Sequence, residues 1–207
     1  MHVAPDGEIH RADIKTANGI VIEVQHSSIT DVERLSREIF YQNLVWVIDG
    51  RSFRENFDLY HQLPHPTSEL AKDLVWSKAK RGMNGSNGGM FYRLSEMLLE
   101  DPTVTKATLN WGRVHDTREI EAEMKNHASD YFQYDWIRPR KTWLDATCPV
   151  YIDFGGELLI KLETYDDSGL RCVRVISMQK FLHDALVEQR ADAIATKFYP
   201  ARAETKA

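Results

Sequence analysis

Cysteine is scarce in this 207-residue chain: it has two, Cys148 and Cys172. That is too few for a disulfide framework and fits reduced thiols in a cytoplasmic protein. No apolar run approaches the roughly 18–20 residues that span a bilayer, and the stretch from Met1 to Asp13 has no signal-peptide-like apolar core, so no membrane partner is expected. A basic excess is also missing. Lys and Arg number 26 against 31 Asp and Glu, a net charge of −5, so any contact with nucleic acid has to come from local patches. No internal repeat is evident. What remains is the composition of a globular domain, 43% apolar and 28% charged, with room for one compact unit or one core with an insertion.

The clearest pattern lies near the N-terminus. Ile9–Ile14 and Ile20–Gln25 read as strands around a turn at Ala17-Asn18-Gly19. In the second strand Val21, Glu23 and Gln25 share one face, and Ile20, Ile22 and Val24 the other. Two registers are open. A two-residue Asn18-Gly19 turn pairs Asp13 with Val24, on the wrong face. A three-residue loop with a left-handed Gly19 pairs Asp13 with Glu23, so that both carboxylates face the same way. A carboxylate site requires the second register, and it is the one expected. A helix follows, started by capping-box spacing at Thr30 and Glu33. Val32, Leu35 and Ile39 recur at helical intervals and are expected to pack on the sheet, while Arg34, Arg37 and Tyr41 form another stripe. Leu44–Asp49 reads as a buried strand. This order fits an α/β core over residues 1–54.

Residues 55–138 read as mostly helical, with helices over Glu69–Lys80, Phe91–Leu99 and Thr117–Tyr134 and a loop over Gly82–Gly89. Residues 139–200 then turn β-rich. Val150–Phe154, Glu157–Tyr165 and Arg171–Ser177 form an antiparallel β-meander, closed by a helix over Lys180–Phe198. Residues 201–207 read as a flexible tail.

Acidic and amide side chains on an otherwise Ile/Val strand need a reason. Two carboxylates on one face of a hairpin make a hard-oxygen site suited to Mg²⁺ or Mn²⁺, with the Val24 carbonyl as a further ligand. Gln25, two positions after Glu23, reaches the same pocket. His10 and His26 flank the group, and hydrogen bonding to a carboxylate or the backbone is the role expected of them ahead of acid–base work. His61 and His65 are four apart around Pro64, which spoils a shared helical face, so a zinc pair is rejected. Two basic patches offer contacts to a phosphate backbone: Lys78, Lys80 and Arg81, and Arg138, Arg140 and Lys141 beside Trp136 and Trp143.

Several of these residues recur together in a known order. His10-Arg11-Ala12-Asp13-Ile14, Ile22-Glu23-Val24-Gln25-His26-Ser27-Ser28-Ile29, Arg37 with Tyr41, and Val45-Trp46-Val47-Ile48-Asp49 resemble the competence protein CoiA-like family. That family belongs to the PD-(D/E)XK phosphodiesterase superfamily, with a restriction-endonuclease-like mixed sheet flanked by helices. Lys141–Leu144 and Pro149–Gly155 resemble its downstream β-rich element. The resemblance implies a metal-dependent nuclease acting on DNA, in DNA processing or recombination. Asp13 and Glu23 become metal ligands, Gln25 stands at the superfamily's usual lysine position, and Ser27 or Ser28, Arg37 and Tyr41 support them. The alternative is an inactive nucleic-acid-binding or protein-interaction module of the same fold. The family carries a helix and a strand upstream of the aspartate, whereas twelve residues precede Asp13 here. A second copy or a protein partner is expected to complete the sheet edge this leaves.

Overall fold

The structure is a computed structural model that describes residues 2–3, 9–10, 12–80, 89–126 and 129–186, the first two pairs as backbone. The chain begins with two short paired strands, β1 (His2–Val3) and β2 (Ile9–His10). Then come β3 (Ile14–Lys15), β4 (Val21–Gln25), helix α1 (Asp31–Phe40) and β5 (Leu44–Asp49). A 3₁₀ segment (Arg51–Asn56) leads into β6 (Phe57–Gln62), α2 (Glu69–Asp73), β7 (Leu74–Trp76), β8 (Met90–Arg93), α3 (Leu94–Met97) and β9 (His115–Asp116). After a 3₁₀ turn (Thr117–Ile120) follow α4 (Glu121–Asn126), β10 (Tyr131–Trp136), α5 (Lys141–Leu144), β11 (Val150–Asp153), β12 (Leu158–Thr164) and β13 (Arg171–Ser177). A helix over 178–186 closes the described chain.

The architecture is mixed α/β. Eight strands form one sheet in the order β3-β4-β5-β11-β12-β13-β10-β6, and β7-β8-β9 form a small second sheet. β4, β5 and β11 run parallel, and the remaining pairings of the large sheet are antiparallel. The expected meander is present as β11-β12-β13, and it joins the N-terminal hairpin through β5 and β11.

Register carries the side chains to two faces. Glu23 pairs Trp46, and Trp46 pairs Val150, so these three share a face. That face holds the largest core cluster, which includes Val21, Trp46, Ile48, Trp136 and Val173. The other face carries Ile22, Val47 and Leu159, covered by Phe181 and Ala185 of the 178–186 helix.

Four expectations are corrected. First, Ile9–Ile14 is not one strand: β2 ends at His10 and β3 starts at Ile14, with Asp13 in a bend between them.

Second, α1 is turned over. Val32 and Ile39 are 80% and 75% exposed and Leu35 is exposed too, while Arg34 and Glu38 are buried at 6% and 8%. The inward carboxylate is fully engaged, while Arg34 Nε is buried without a partner. The Glu38 carboxylate accepts from the Arg34 guanidinium, from Trp46 Nε1 at 3.1 Å, and from Thr147 N and Oγ1 at 3.3 and 2.8 Å. A buried pair with this many hydrogen bonds can outcompete an apolar stripe for the sheet.

Third, residues 55–138 are not mostly helical, since they contribute β6 to β10. The helix expected over Glu69–Lys80 ends at Asp73. Its Ser68 cap is real, with Ser68 Oγ accepting from Ala71 N at 3.1 Å. Leu74-Val75-Trp76 then leaves as β7 because β8 offers a ladder to these β-favouring side chains. Fourth, Phe91 and Tyr131 likewise sit in strands, so the helices expected over Phe91–Leu99 and Thr117–Tyr134 shrink to α3 and to the 3₁₀ turn with α4. The Gly82–Gly88 stretch, the closing helix beyond residue 186 and the 201–207 tail lie outside the described residues.

Candidate functional site

The loop between β3 and β4 sets the site. Thr16 N donates to the Ile20 carbonyl at 2.9 Å, and Ile20 N donates to Thr16 Oγ1 at 3.1 Å. Gly19 takes φ +82°, a value that favours glycine. This three-residue loop produces the pairs Ile14↔Ile22 and Lys15↔Val21, so the next opposed positions are Asp13 and Glu23. Asp13 lies one residue beyond the ladder, and its carboxylate continues it: Oδ2 accepts from Val24 N at 2.8 Å. The expected register is the observed one.

Glu23 projects from the face that carries Val21 and is 3% exposed. Arg37, on the inward side of α1, donates from Nη1 to Glu23 Oε2 at 2.8 Å and from Nη2 to Glu33 Oε1 at 2.7 Å. Burial pushes the Glu23 pKa above the ordinary 4.5; the Arg37 charge opposes this, and the nearby Asp13 charge adds to it. Burial also raises the Tyr41 phenol, reinforced by Glu23 and Asp13 and opposed by Arg37. Asp13, Glu23, Arg37 and Tyr41 therefore form one electrostatically coupled cluster. The turned-over helix is what brings Arg37 and Tyr41 there.

Gln25 follows Glu23 on the same face, and its Nε2 donates to the Ser27 carbonyl at 3.0 Å and to Ser27 Oγ at 3.2 Å. Ser28 is exposed. His26 lies at the end of β4, largely exposed, with Nδ1 3.4 Å from Asp49 Oδ2. The carboxylate it meets belongs to the neighbouring strand and not to the Asp13–Glu23 pair. Asp49 is held chiefly by Arg51, whose N, Nε and Nη2 donate to it at 3.0, 2.9 and 2.7 Å. These bonds hold its carboxyl well below the usual range. The His10 side chain lies outside the described residues.

Whether a hard divalent ion fits turns on the donor set. One oxygen of each carboxylate is engaged, Asp13 Oδ2 by Val24 N and Glu23 Oε2 by Arg37, which leaves Oδ1 and Oε1 to face a cation. Two carboxylates are the usual protein share of an Mg²⁺ site that keeps its waters, and the Val24 carbonyl supplies a third oxygen on the same strand. The residues fit. Among the described residues, no group of three or more His, Cys, Asp or Glu is arranged to hold a metal.

Of the described basic-patch residues, only Lys78 lines the cavity of about 430 Å³ that it shares with Pro139, far away in sequence. Lys80, Arg138 and Lys141 are exposed. Arg140 stands over the Phe53 ring, 5.7 Å from its centroid. Arg81 lies outside the described residues. Two ion pairs on α1 were not anticipated. Glu33 anchors Arg37 and Glu38 binds Arg34, both at an i,i+4 spacing visible in the sequence. That the second pair is buried and faces the sheet has no local signal.

Comparison with family models, curated protein sequences and solved structures returns no match. Among the described residues, no helix is long and apolar enough to cross a membrane.

Proposed function

We propose that the chain is a CoiA-like nuclease of the restriction-endonuclease-like fold, which hydrolyses DNA phosphodiester bonds with Mg²⁺ or Mn²⁺ held by Asp13, Glu23 and the Val24 carbonyl. The observation that carries the reading is the meeting of two carboxylates on β4, Asp13 accepting from Val24 N and the buried Glu23 bonded by Arg37. Further support comes from the order of hairpin, helix α1 and parallel strand β5, which is the order the resemblance implies for that fold.

When bound, the ion supplies Lewis-acid polarisation and neutralises charge on the phosphodiester. The chain's own residues do the rest. Asp13, fixed through Val24 N, and Glu23, fixed through Arg37, present their free oxygens from a rigid strand edge. Arg37 keeps a buried Glu23 ionised against the cost of desolvation. Tyr41 packs over the same cluster and excludes water from its inner side. Gln25, with its amide nitrogen committed to Ser27, has its carbonyl oxygen left to orient the attacking water, whose oxygen bonds to phosphorus as the sugar oxygen leaves.

The same commitment favours a second reading, a nucleic-acid-binding module without turnover, because Gln25 brings no positive charge where the superfamily has lysine. A second subunit or protein partner along the β3 edge is a further part of the proposal, and light scattering that reads a monomer would remove it.

The test is incubation of linear and circular, single- and double-stranded DNA with the native chain and with Glu23→Ala, in Mg²⁺, Mn²⁺ or EDTA. Cleavage that needs metal and vanishes in Glu23→Ala is expected. DNA binding without cleavage under any metal favours the module.

A further inference from the structure

We propose that the cavity between β7, β10 and the turn joining β12 to β13 receives one unstacked nucleotide of a single-stranded nucleic acid, with Lys78 and Arg171 on its phosphate and Trp136 beside its base. This rests on the nucleic-acid half of the function proposed for the chain and not on turnover.

At about 430 Å³, the cavity falls within the roughly 300–1,000 Å³ range of small-molecule pockets. Trp76, Tyr134 and Trp136 line it with Leu109 and Leu144, and Lys78 and Arg171 stand at its exposed rim. A third cation, Lys106, is already committed: its ammonium bonds Asp166 at 2.6 Å and the Ala71 carbonyl. Arg171 is held loosely, 3.9 Å from Asp145.

Lys78 is set in place by a buried amide. Gln133, 1% exposed, accepts from Ala79 N at 3.1 Å and donates to the Ser77 carbonyl at 3.1 Å. It clamps the backbone on both sides of Lys78, as a neighbouring strand would. A glutamine side chain spent inside the protein on fixing the backbone around one exposed lysine is the mark of a built rim.

The chemistry selects the ligand. A cavity lined by aromatic and aliphatic side chains, with exposed cations among its lining, suits a splayed-out base with its phosphate outside, the common mode of single-strand recognition. A duplex keeps its bases stacked and cannot fill the cavity. An acidic peptide would answer the cations but leave the aromatic interior empty. Tyr134 and Trp136 belong to the core cluster on the Glu23 side of the sheet. Five strand steps separate β4 from β10, about 24 Å at roughly 4.8 Å each. A strand that reaches both places spans several nucleotides.

The test uses the full chain in EDTA, with a fluorescein-labelled oligothymidylate and a matched hairpin duplex, read by anisotropy over a salt series. The native chain is expected to prefer the single strand. Lys78→Ala with Arg171→Ala should weaken it about tenfold and lower the salt slope by about 0.7, for the one phosphate no longer neutralised. Ala107→Trp, which fills the cavity from an exposed rim position, should weaken it with the slope unchanged. Thymidine 5′-monophosphate should compete for the native chain and not for Ala107→Trp. These three positions are exposed, and a matching thermal melt verifies folding. Unchanged affinity and slope in the double variant, equal binding of the duplex, or competition by polyglutamate as strong as by the nucleotide would each overturn the proposal. Loss of the nuclease reading leaves these outcomes intact, because binding is read without metal. Unchanged binding beside Glu23-dependent cleavage would remove only the pocket.

Discussion

Replacing Glu38 with leucine is expected to destabilise the protein by about 3–5 kcal/mol, the usual cost of stranding one member of a buried ion pair. Arg34 is 6% exposed, so its guanidinium cannot turn to water once its carboxylate is gone. Trp46 Nε1 and the Thr147 hydroxyl lose their acceptor in the same step, which argues for the upper part of that range. In urea unfolding, with a slope of about 2 kcal/mol/M, the midpoint should fall by about 1.5–2.5 M. Adding Arg34→Met should recover much of the loss, since removing both charges leaves none uncompensated. Ile39→Ser, on the same helix, should change stability by no more than about 0.5 kcal/mol, as for an ordinary surface site. The reverse pattern, with Glu38→Leu below about 1 kcal/mol and Ile39→Ser above about 2, would mean that α1 presents Val32, Leu35 and Ile39 to the sheet. Arg37 and Tyr41 would then face away from Glu23, and the candidate site would dissolve with them.

Three further outcomes follow from the charges and thiols. Metal affinity should fall as pH drops through the Glu23 pKa, which burial raises above 4.5 against the opposing charge of Arg37; calorimetry over a pH series that shows no decline until well below 4.5 would contradict this. His115 is buried between Glu119, 2.8 Å from Nδ1, and Glu96, 3.0 Å from Nε2. Burial alone would lower its pKa, but the two carboxylates outweigh it and the net shift is upward from 6.5. Its contribution to stability is therefore complete below 6.5 and lost as pH rises through the folded value. His115→Gln should flatten that part of the pH profile of Tm, and an unchanged profile would refute it. Cys172 is buried with its pKa pushed up to about 12, so it should stay inert to a thiol reagent at neutral pH and react on unfolding.

The hairpin was legible from its turn residues, but Gly19 suits a two- or a three-residue loop alike. The three-residue register was expected because a paired-carboxylate site requires it, and the pairs Ile14↔Ile22 and Lys15↔Val21 follow that register. The chemistry of Glu23 and Gln25 was legible, since period-two alternation puts them on one face whatever covers it. The orientation of α1 was not. Its apolar positions recur at helical spacing, and a local reading buries them. The sheet instead offers Trp46, Thr147 and Glu23 to a charged stripe, and Thr147 lies 109 residues from Glu38. The middle of the chain failed in the same way. Leu74-Val75-Trp76 continues a well-capped helix until β8 supplies hydrogen-bond partners, and β8 is brought in by tertiary structure. Lys78 and the Arg138–Lys141 segment were each visible as basic patches. That Lys78 and Pro139 meet at one cavity depends on β10 lying beside the 77–79 segment, which Gln133 secures.

The most direct test of the central claim is a calorimetric titration of Mn²⁺ into the native chain, Asp13→Asn and Glu23→Gln at neutral pH. One site on the native chain, lost or greatly weakened in each variant while both still melt cooperatively, is the expected result. Mn²⁺ binding that survives both substitutions, or no binding to the native chain, would mean that the paired carboxylates at the hairpin do not form a metal site.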